Sequence, residues 1–428
     1  MNEVDAIRIE QFRQFKKEIR GSREYEVVGI DVAKEKHHAF FGTATGKTLL
    51  RNLVIGNDLD GFCKLVEQAE ALRVQEGLRK VVYGVEPTGD YHKPLGEHLI
   101  KCAKLVVLVS GVAVRRNREL LDGRWDKNDV KDAANVADLI SQGKCMFYEY
   151  PNANVRDLRV LLSVKMRLRK QEHGLRVRIR NHVVAQYFPE LDRVWGQSET
   201  ENLAIVRWCL DPSVIAGLQL DEFIRQVSTR DRGVRQKARL RGIWEMAVDS
   251  VGCRMPEAAC SECKVLVEGL KRLREEMKEV SDEIHQVCLR FAEYPFLLSI
   301  PGFGPEVSAQ VLGALGDPHR FRSAGEVLKM AGLDLSASRS GNTAETAVPV
   351  ISKRGKAHLR YMLYQAAMIA SIRNRPFINY YTQKLKGRQQ ERGIKTKMRV
   401  KLAAKLLVIA WTLMKNKEPF DPKHLTMQ

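Results

Sequence analysis

Short apolar runs alternate with stretches of helical spacing across residues 25–150. The runs lie at residues 26–31, 38–41, 81–85 and 104–109, and the helical stretches lie at residues 61–72 and 129–140. Apolar runs of this length are typical of strands buried in a sheet, and helices between them are typical of α/β domains. We therefore predict an α/β sheet domain over residues 25–150.

Two long stretches with helical periodicity follow this domain. Residues 155–184 are rich in Arg and Leu, and residues 264–291 carry apolar side chains three and four positions apart. The sequence between them, residues 188–255, is less regular. Apolar stripes of this kind predict long amphipathic helices, which we expect to pair as a coiled coil.

A turn with two glycines begins the third region. Residues 299–304 contain Gly302 and Gly304 and lead into a helical pattern at residues 307–315. Backbone N–H groups at the start of a helix can bind a phosphate, and the arrangement resembles a helix–hairpin–helix element that binds DNA. An ordinary tight turn is the alternative interpretation.

These patterns divide the chain into five parts. Further helical spacing at residues 359–370 and 400–414 makes the last domain mainly helical. The predicted parts are a basic N-terminal extension (1–24), the α/β domain (25–150), a helical or coiled-coil region (151–295), a mainly helical C-terminal domain (296–415) and a loosely structured tail (416–428).

The chain is strongly basic. Its 428 residues include 71 Lys and Arg against 52 Asp and Glu, which gives a net charge of +19. A folded chain with this charge favours a polyanionic partner, because neutralised phosphates release counterions when nucleic acid binds. A general solubility bias or a membrane-surface protein are the alternatives that charge alone leaves open.

Nothing in the sequence predicts insertion into a membrane. No apolar stretch approaches the ~20 residues that a membrane span needs, and the first 24 residues lack the apolar segment of a signal peptide. We expect a protein of the cytoplasm, without a membrane partner. The eight cysteines then fit reduced thiols.

A cysteine cluster raises the question of a zinc site. Cys253, Cys260 and Cys263 include one Cys-x-x-Cys spacing, with His285 and Cys288 downstream. These are zinc ligand types, but a second paired spacing is missing. Ordinary thiols are the favoured interpretation, and a metal site at these cysteines stays open.

Four carboxylates occupy positions from which they can converge. Asp31 ends the first predicted strand, Glu86 follows a later one, and Asp129 and Asp132 lie three residues apart on a predicted helix. Strand-end acids emerge at a sheet edge where sites form, and residues at i and i+3 share a helix face. Taken singly, each acid is better explained as a loop, turn or helix-start residue.

Carboxylate oxygens are the ligands that hard divalent cations prefer. Two such ions can activate a nucleophile and stabilise the leaving oxygen when a phosphodiester is cleaved. The four acids together therefore favour a Mg²⁺ site, in which Mn²⁺ can substitute.

A serine near the C-terminal end is a candidate nucleophile. Ser340 stands before a glycine in a polar loop, where a hydroxyl can be exposed. Nothing local separates Ser340 from Ser336 or Ser338, and an ordinary loop is the alternative. Downstream cations that can hold a phosphate are Lys353, Arg354 and Arg360.

Several of these motifs, in this order and spacing, resemble the DEDD transposases of bacterial and archaeal insertion sequences, insertion-sequence family one-ten. The resemblance runs from about Tyr25 to Pro422. The motifs that carry it are GIDVAK (29–34), EPTGDY (86–91), KNDVKDA (127–133), IPGFG (300–304), GL (332–333), SG (340–341), ISKRG (351–355) and LR (359–360).

The resemblance implies a fold and a set of catalytic residues. It implies an N-terminal domain with the RuvC-like, RNase H-like fold, whose Asp31, Glu86, Asp129 and Asp132 bind Mg²⁺. It also implies a coiled-coil region that supports dimers or tetramers, and a C-terminal transposase domain whose nucleophile falls on Ser340.

The resemblance further implies the reaction and its partners. The family recombines donor and target double-stranded DNA through a covalent serine–DNA intermediate. A structured non-coding RNA, the bridge RNA, pairs with both DNAs. We therefore expect an RNA-guided transposase at the nucleoid of a bacterium or archaeon.

Two other functions remain open at this point. The first is an endonuclease like a Holliday-junction resolvase, which uses the same acids and Mg²⁺ but water as the nucleophile. The second is a domesticated transposase that binds nucleic acid without catalysis. The presence of the C-terminal domain disfavours the former, and the presence of all four acids disfavours the latter.

Overall fold

The computed structural model describes residues 3–122, 129–228, 233–336 and 350–425. The chain divides into two compact units, Met1–Pro151 and Asn152–Gln428. Ser340, the candidate nucleophile, lies outside the described residues. No helix of the described ranges is both long and apolar enough to cross a membrane.

The first unit is built on a six-stranded mixed sheet with the order β3-β2-β1-β4-β5-β6. Its strands are β1 (Tyr25–Asp31), β2 (Lys36–Thr43), β3 (Thr48–Gly56), β4 (Lys80–Val85), β5 (Leu105–Leu108) and β6 (Met146–Phe147). β1 runs parallel to β4 and antiparallel to β2. β5 runs parallel to β4. The four strands predicted from the sequence are confirmed.

Helices cover both faces of this sheet. They are α1 (Glu3–Glu18), α2 (Leu59–Gln75), α3 (His92–Lys101), α4 (Gly111–Asp122) and α5 (Asp129–Ser141). Side chains alternate along β1, so that Val28 and Ile30 join a core with α2 and α3. Val27 points the other way, into a core with α1, α4 and α5. Both faces of the central strands are therefore buried.

The N-terminal segment takes part in this core. Phe15 of α1 and Ile19, just beyond it, are fully buried against the sheet. Lys16 donates to the backbone carbonyls of Gly143 and Cys145. Residues 1–24, expected as a basic extension, carry six Lys or Arg and five Asp or Glu, so their net charge is close to zero. Helix α1 is therefore an integral part of the first unit.

The second unit is mainly helical. Its helices are α6 (Ala153–Arg178), α7 (Ala185–Tyr187), α8 (Glu190–Arg193), α9 (Glu199–Trp208), α10 (Pro212–Gly217), α11 (Leu220–Val227), α12 (Val234–Val248), α13 (Glu257–Cys288), α14 (Tyr294–Leu298), α15 (Pro305–Leu315), α16 (Ala324–Ala331), α17 (Ala357–Arg373), α18 (Arg375–Leu385) and α19 (Ile394–Asn416). A π-helical segment, Ile179–Val184, follows α6 directly. The strands β7 (Leu335–Ser336) and β8 (Val350–Ile351) form a two-stranded sheet.

The two long helices predicted from the sequence are confirmed as α6 and α13, which pack against each other. Arg274 of α13 pairs with Glu172 of α6 at 3.3 Å, and Arg178 pairs with Glu262 at 2.6 Å. Their ends share a core with the short helices α7–α12. A supercoiled pairing of these helices stays a prediction.

A second core joins α14–α17 to the long C-terminal helix α19. The residues after α19, expected to be loosely structured, pack on this core as far as Leu425. The ring of Phe420 stacks on that of Phe377, with centroids 5.4 Å apart, and Leu425 is buried. The packing of this tail was not predicted, because Phe420 and Leu425 are isolated apolar residues in the sequence and form no periodic pattern.

Candidate functional site

Two of the predicted acids leave the sheet side by side. β1 ends at Asp31, and Glu86 is the first residue after β4. These strands are parallel neighbours in which Ile30 pairs with Val85, so the next residue of each strand reaches the same carboxyl edge. Both acids are half-buried. The prediction of two strand-end carboxylates at one edge matches this arrangement.

Helix α5 lies directly on the two strands that carry these acids. Gly29 and Gly84 are paired in register. A Cβ on Gly29 would lie 2.2 Å from the carbonyl oxygen of Ala133, and one on Gly84 would lie 2.0 Å from Cδ1 of Ile140. Only glycine permits this approach, which places α5 on the face toward which Asp31 also points.

Asp132 lies on α5, next to Ala133, and is 2% exposed. Nε and Nη2 of Arg118, on α4, each lie 2.8 Å from its Oδ1. Asp129 is the first residue of α5, and its side chain lies outside the described residues. The described side chains contain no group of three or more His, Cys, Asp and Glu arranged to hold a metal ion. The Arg118 pair therefore accounts for the charge of Asp132 in this structure.

A buried amide network fixes α4 against α5. Asn117 Nδ2 donates to Asn135 Oδ1 and to Asp138 Oδ2, both at 2.7 Å. Asn135 Nδ2 in turn donates to the carbonyl of Val114 at 2.7 Å. Sequence reasoning missed these residues, although an Asn three positions after Asp132 on a predicted helix was a usable signal. The network fixes α4, which carries Arg118, relative to the helix that carries the acids.

The carboxylate of Glu86 faces the start of α4. A Cβ on Gly111, the first residue of that helix, would lie 2.6 Å from Glu86 Oε1. The absence of a side chain at Gly111 makes room for the carboxylate. The amino end of a helix also stabilises a negative charge nearby. The segment after Glu86, from Pro87 to Tyr91, is exposed.

A buried histidine holds the turn that follows Asp31. His37 Nδ1 accepts from the backbone N–H of Ala33, and Nε2 lies 3.2 Å from Asn57 Oδ1. Nε2 therefore carries the proton, and burial lowers the pKa of His37. Asn57 also donates to the carbonyl of Lys34 at 3.1 Å. The pair was not found from the sequence, because His37 lies in β2, Asn57 directly follows β3, and their meeting depends on the β2–β3 register.

The segment that contains Ser340 begins and ends at paired residues. Ser336 of β7 pairs with Val350 of β8. Residues 337–349, with Ser338 and Ser340, lie outside the described residues. Ser352 donates to Asp334, which ties the two strands together beyond the pairing. The choice of Ser340 as nucleophile stays a prediction.

The three cations downstream of this segment differ in their surroundings. Arg360 Nη1 donates to the carbonyls of Ala331 at 2.9 Å and Gly355 at 3.2 Å. Lys353 and Arg354 are exposed, and Lys353 has a left-handed backbone with φ 56°. The bonds of Arg360 give it a structural role at the end of α16, whereas Lys353 and Arg354 present their charge to solvent.

The two glycines of the predicted phosphate-binding turn serve different purposes. Gly302 has φ 92°, and a Cβ there would lie 2.6 Å from the carbonyl oxygen of Ala366 on α17. Gly304 is exposed at the start of α15, where nothing lies near its Cβ position. Glu306, in the first turn of α15, pairs with Lys165 and Arg169 of α6. Packing explains Gly302, and phosphate binding at this turn stays a prediction.

The cysteines considered for zinc lie in different surroundings. Cys263 is buried in the core formed with α7–α12, and burial raises its pKa to about 12. Cys288 is buried in the other core, with α14–α19, and its pKa is likewise raised to about 12. Cys253 is exposed. Cys263 and Cys288 thus pack as apolar groups in two separate cores, as the favoured interpretation expects.

Comparison with known families assigns the class of protein. A family model described as a transposase, of the DEDD type, matches residues 28–189. A second model, described as the transposase IS116/IS110/IS902 family, matches residues 294–382. The mixed sheet and the mainly helical second unit are compatible with an RNase H-like DEDD domain at the N-terminus. The protein is thus a DNA transposase or recombinase.

The chain belongs to the IS110 family of insertion-sequence transposases. It is 26% identical over 415 residues to a 44.8 kDa protein of insertion element IS116 from Streptomyces clavuligerus, covering 92% of this chain and 96% of that protein. It is 25% identical to a 43.6 kDa protein of insertion element IS110 from Streptomyces coelicolor, over 74% of this chain and 77% of that protein.

A third relative is named for a different DNA rearrangement. The pilin gene-inverting protein of Moraxella bovis is 32% identical over 129 residues, which is 30% of this chain and 38% of that protein. The family membership expected from the sequence motifs is confirmed.

Proposed function

We propose that this transposase recombines the ends of its insertion element with target DNA by a Mg²⁺-dependent reaction through a covalent serine–DNA intermediate, guided by a structured non-coding RNA. The observation that carries the proposal is the placement of Asp31 and Glu86 at adjacent strand ends, with α5 laid on the same strands. α5 begins at Asp129 and carries Asp132. Four oxygen donors on three adjoining elements suit a hard divalent cation.

The residues proposed to hold Mg²⁺, or Mn²⁺ in its place, are Asp31, Glu86, Asp129 and Asp132. When bound, the metal neutralises charge on the scissile phosphate and its leaving oxygen. Arg118 is proposed as a positioning residue that holds Asp132 through Oδ1. His37 is proposed to hold the turn after Asp31, and Gly111 to leave room for the carboxylate of Glu86.

Ser340 is the proposed nucleophile. Its Oγ forms a bond to phosphorus as the bond from phosphorus to a deoxyribose oxygen breaks. The serine proton is released and the leaving oxygen gains a proton, so one phosphodiester is exchanged for another. The reverse attack by a deoxyribose hydroxyl on a new partner rejoins the DNA without ATP. Lys353, Arg354 and Arg360 are proposed phosphate contacts, and the exposed pair is better placed than Arg360.

Family membership supports DNA as a partner. Donor and target double-stranded DNA and a structured guide RNA are the proposed nucleic acids, and the +19 charge is compatible with both.

We further propose that α6 and α13 support a homodimer or homotetramer as a coiled coil. The turn at Gly302 and Gly304 is proposed to contact DNA as a helix–hairpin–helix element, and the protein to act in the cytoplasm, at the nucleoid.

The test is a recombination assay with purified protein, flanking RNA, Mg²⁺ and labelled donor and target DNA. We expect a protein–DNA band that survives denaturation for the wild type and for the matched controls Ser336→Ala and Ser338→Ala. Ser340→Ala should bind DNA normally but give no band. A band that disappears only with Ser336→Ala or Ser338→Ala moves the nucleophile to that serine.

Cleavage without any covalent band in the wild type would contradict the serine intermediate and leave a resolvase-like endonuclease. Normal DNA binding with neither band nor cleavage, with or without Mg²⁺, would leave a silent nucleic-acid-binding protein.

A further inference from the structure

Positive charge is concentrated in one part of the chain that the proposed reaction does not use. Residues 373–405 hold 11 Lys or Arg and a single acid, Glu391, which gives this part a net charge of +10 (11 − 1). That is more than half of the +19 carried by the whole chain. The matched family domain ends at residue 382, so most of these charges lie beyond it.

Seven of these 11 cations lie on α18 and α19, which pack together in the second unit. α18 and the start of α19 meet through Tyr381, whose hydroxyl donates to the carbonyl of Lys395 at 3.3 Å. Three lysines of α19 repeat every four residues, at Lys397, Lys401 and Lys405. Residues at this spacing share one helix face and span about 12 Å along the axis. We call this face, together with Lys384 of α18, the α18–α19 basic surface.

The basic surface borders an open cleft of about 1060 Å³. Arg375, Lys384, Lys401 and Lys405 line it, together with the polar side chains of Asn379 and Gln383. A cleft with four cations along its walls focuses positive potential and suits a polyanion.

Within the segment, little negative charge offsets these cations. Both carboxylate oxygens of Glu391 accept from Arg388, at 2.7 Å each, so this acid is already paired. The pKa of Lys405 is lowered by its partial burial and by the charge of Lys384. Lys384 and Lys405 therefore place two like charges close together on this surface.

The tyrosines of this surface hold cations. Lys384 Nζ lies 5.6 Å from the ring centroid of Tyr380, and the Arg399 guanidinium lies 5.8 Å from that of Tyr381. A ring face covered by a cation does not offer a platform for an unpaired base, which is how single strands are usually held. The chemistry therefore favours contacts to backbone phosphates over stacking with bases.

We propose that the α18–α19 basic surface binds the phosphodiester backbone of double-stranded DNA without reading its sequence. Its lysines and arginines neutralise phosphates, and the cleft receives one edge of the duplex. The surface thus provides sequence-independent DNA binding that needs neither the guide RNA nor the acids of the first unit.

The experiment measures binding of the full-length protein to a short duplex of arbitrary sequence, in EDTA, over a range of salt concentrations. The variant is Lys397→Gln/Lys401→Gln/Lys405→Gln. The matched control is Arg235→Gln/Lys237→Gln/Arg241→Gln, which removes the same charge from exposed positions on α12. EDTA separates this binding from the proposed metal-dependent reaction.

We expect the surface variant to reduce the slope of log Kd against log salt by about 2 to 3, because each lost phosphate contact removes ~0.9. Its affinity near physiological salt should fall at least about tenfold, whereas the control changes less than about threefold. Equal losses in variant and control would overturn the proposal. So would unchanged duplex binding with weaker binding to a single-stranded RNA, which would assign the surface to RNA.

Circular dichroism and the Tm establish that each variant is folded. If the triple variant loses helix, Lys397→Gln/Lys401→Gln replaces it, because both side chains are exposed. A slope reduction of about 1 to 2 is then expected for the double variant. An unchanged slope for this folded variant would also overturn the proposal.

Discussion

The guanidinium of Arg118 holds the buried carboxylate of Asp132, with Nε and Nη2 each 2.8 Å from Oδ1. The pair joins α4 to the helix that begins at Asp129. Removal of one partner of a buried ion pair leaves the other charge without compensation in a poorly solvated place. The stability of the first unit and the position of a proposed metal ligand thus depend on the same contact.

We expect Arg118→Ala to lower the free energy of unfolding by about 3 kcal/mol, because the Asp132 charge stays buried without its partner. Arg115→Ala, at an exposed position on the same helix, is the matched control and should change it by less than about 0.5 kcal/mol. Urea unfolding of both variants measures this. An Arg118→Ala/Asp132→Asn double variant should recover part of the loss, and a strictly additive result would contradict the coupling.

Gly29→Ala should be among the most damaging single-methyl changes in the protein. The added Cβ would lie 2.2 Å from a backbone carbonyl of α5, which no side-chain rotation relieves. We expect a loss of about 3 kcal/mol in stability from this overpacking. Gly242→Ala in α12, where nothing lies within 4 Å, is the control and should be neutral or stabilising. Thermal unfolding that ranks the two variants equally would disprove the close approach of α5.

Glu26 gives the first unit a pH-dependent stability. It is fully buried in β1, its oxygens have no hydrogen-bond partner among the described residues, and burial raises its pKa to about 8. The neighbouring charges of Glu70 and Arg73 raise and lower that pKa, respectively. In the unfolded chain the carboxyl titrates near 4.5. The folded state therefore binds one proton more than the unfolded state between about pH 4.5 and 8.

The free energy of unfolding should accordingly fall as pH rises through this window, by up to about 1.4 kcal/mol per pH unit from this group. Glu26→Gln removes the titration, so the variant should lose this part of the slope and gain stability relative to the wild type above pH 8. Glu24→Gln, its partly exposed neighbour, is the control and should keep the wild-type slope. Identical slopes in all three proteins would show that burial does not raise the pKa of Glu26.

Binding of Mg²⁺ can be measured without any DNA. A ligand that binds only the folded state raises the Tm in a concentration-dependent way. We expect Mg²⁺ to raise the Tm of the wild type, and Asp31→Asn or Glu86→Gln to abolish the increase. Asp90→Asn removes an exposed carboxylate that pairs with Lys93, and it should respond to Mg²⁺ like the wild type. An increase that survives in Asp31→Asn and Glu86→Gln would place the ion elsewhere.

The strands and helices were predicted correctly where their sequence pattern is local. The central strands β1, β4 and β5 are continuous apolar runs because both of their faces are buried, and α5 and α13 show clear helical spacing. β3 was missed because most of its side chains are exposed or half-buried and do not alternate cleanly. Helix α1 was missed because its apolar positions lie among balanced charges, and only docking on the sheet explains them.

The candidate site was predictable in its acids but not in their surroundings. Asp31 and Glu86 could be placed at strand ends because parallel strands share an edge. The Arg118–Asp132 pair depends on how α4 packs on α5, which no spacing within either helix indicates. Likewise, the α18–α19 basic surface is visible in the sequence as a count of charges, but its cleft depends on the folding of residues 420–425 onto α18.

The close contact of α5 with Gly29 and Gly84 has a consequence for conditions under which the protein can work. The height of that helix above the sheet is set by van der Waals contact with two residues that lack side chains. Contact of this kind does not titrate and is not screened by ions. The spacing between the strand acids and the start of α5 should therefore change little with pH or with salt concentration. A change in activity across those conditions then reports on protons, ions and DNA, and not on a shift of the helix.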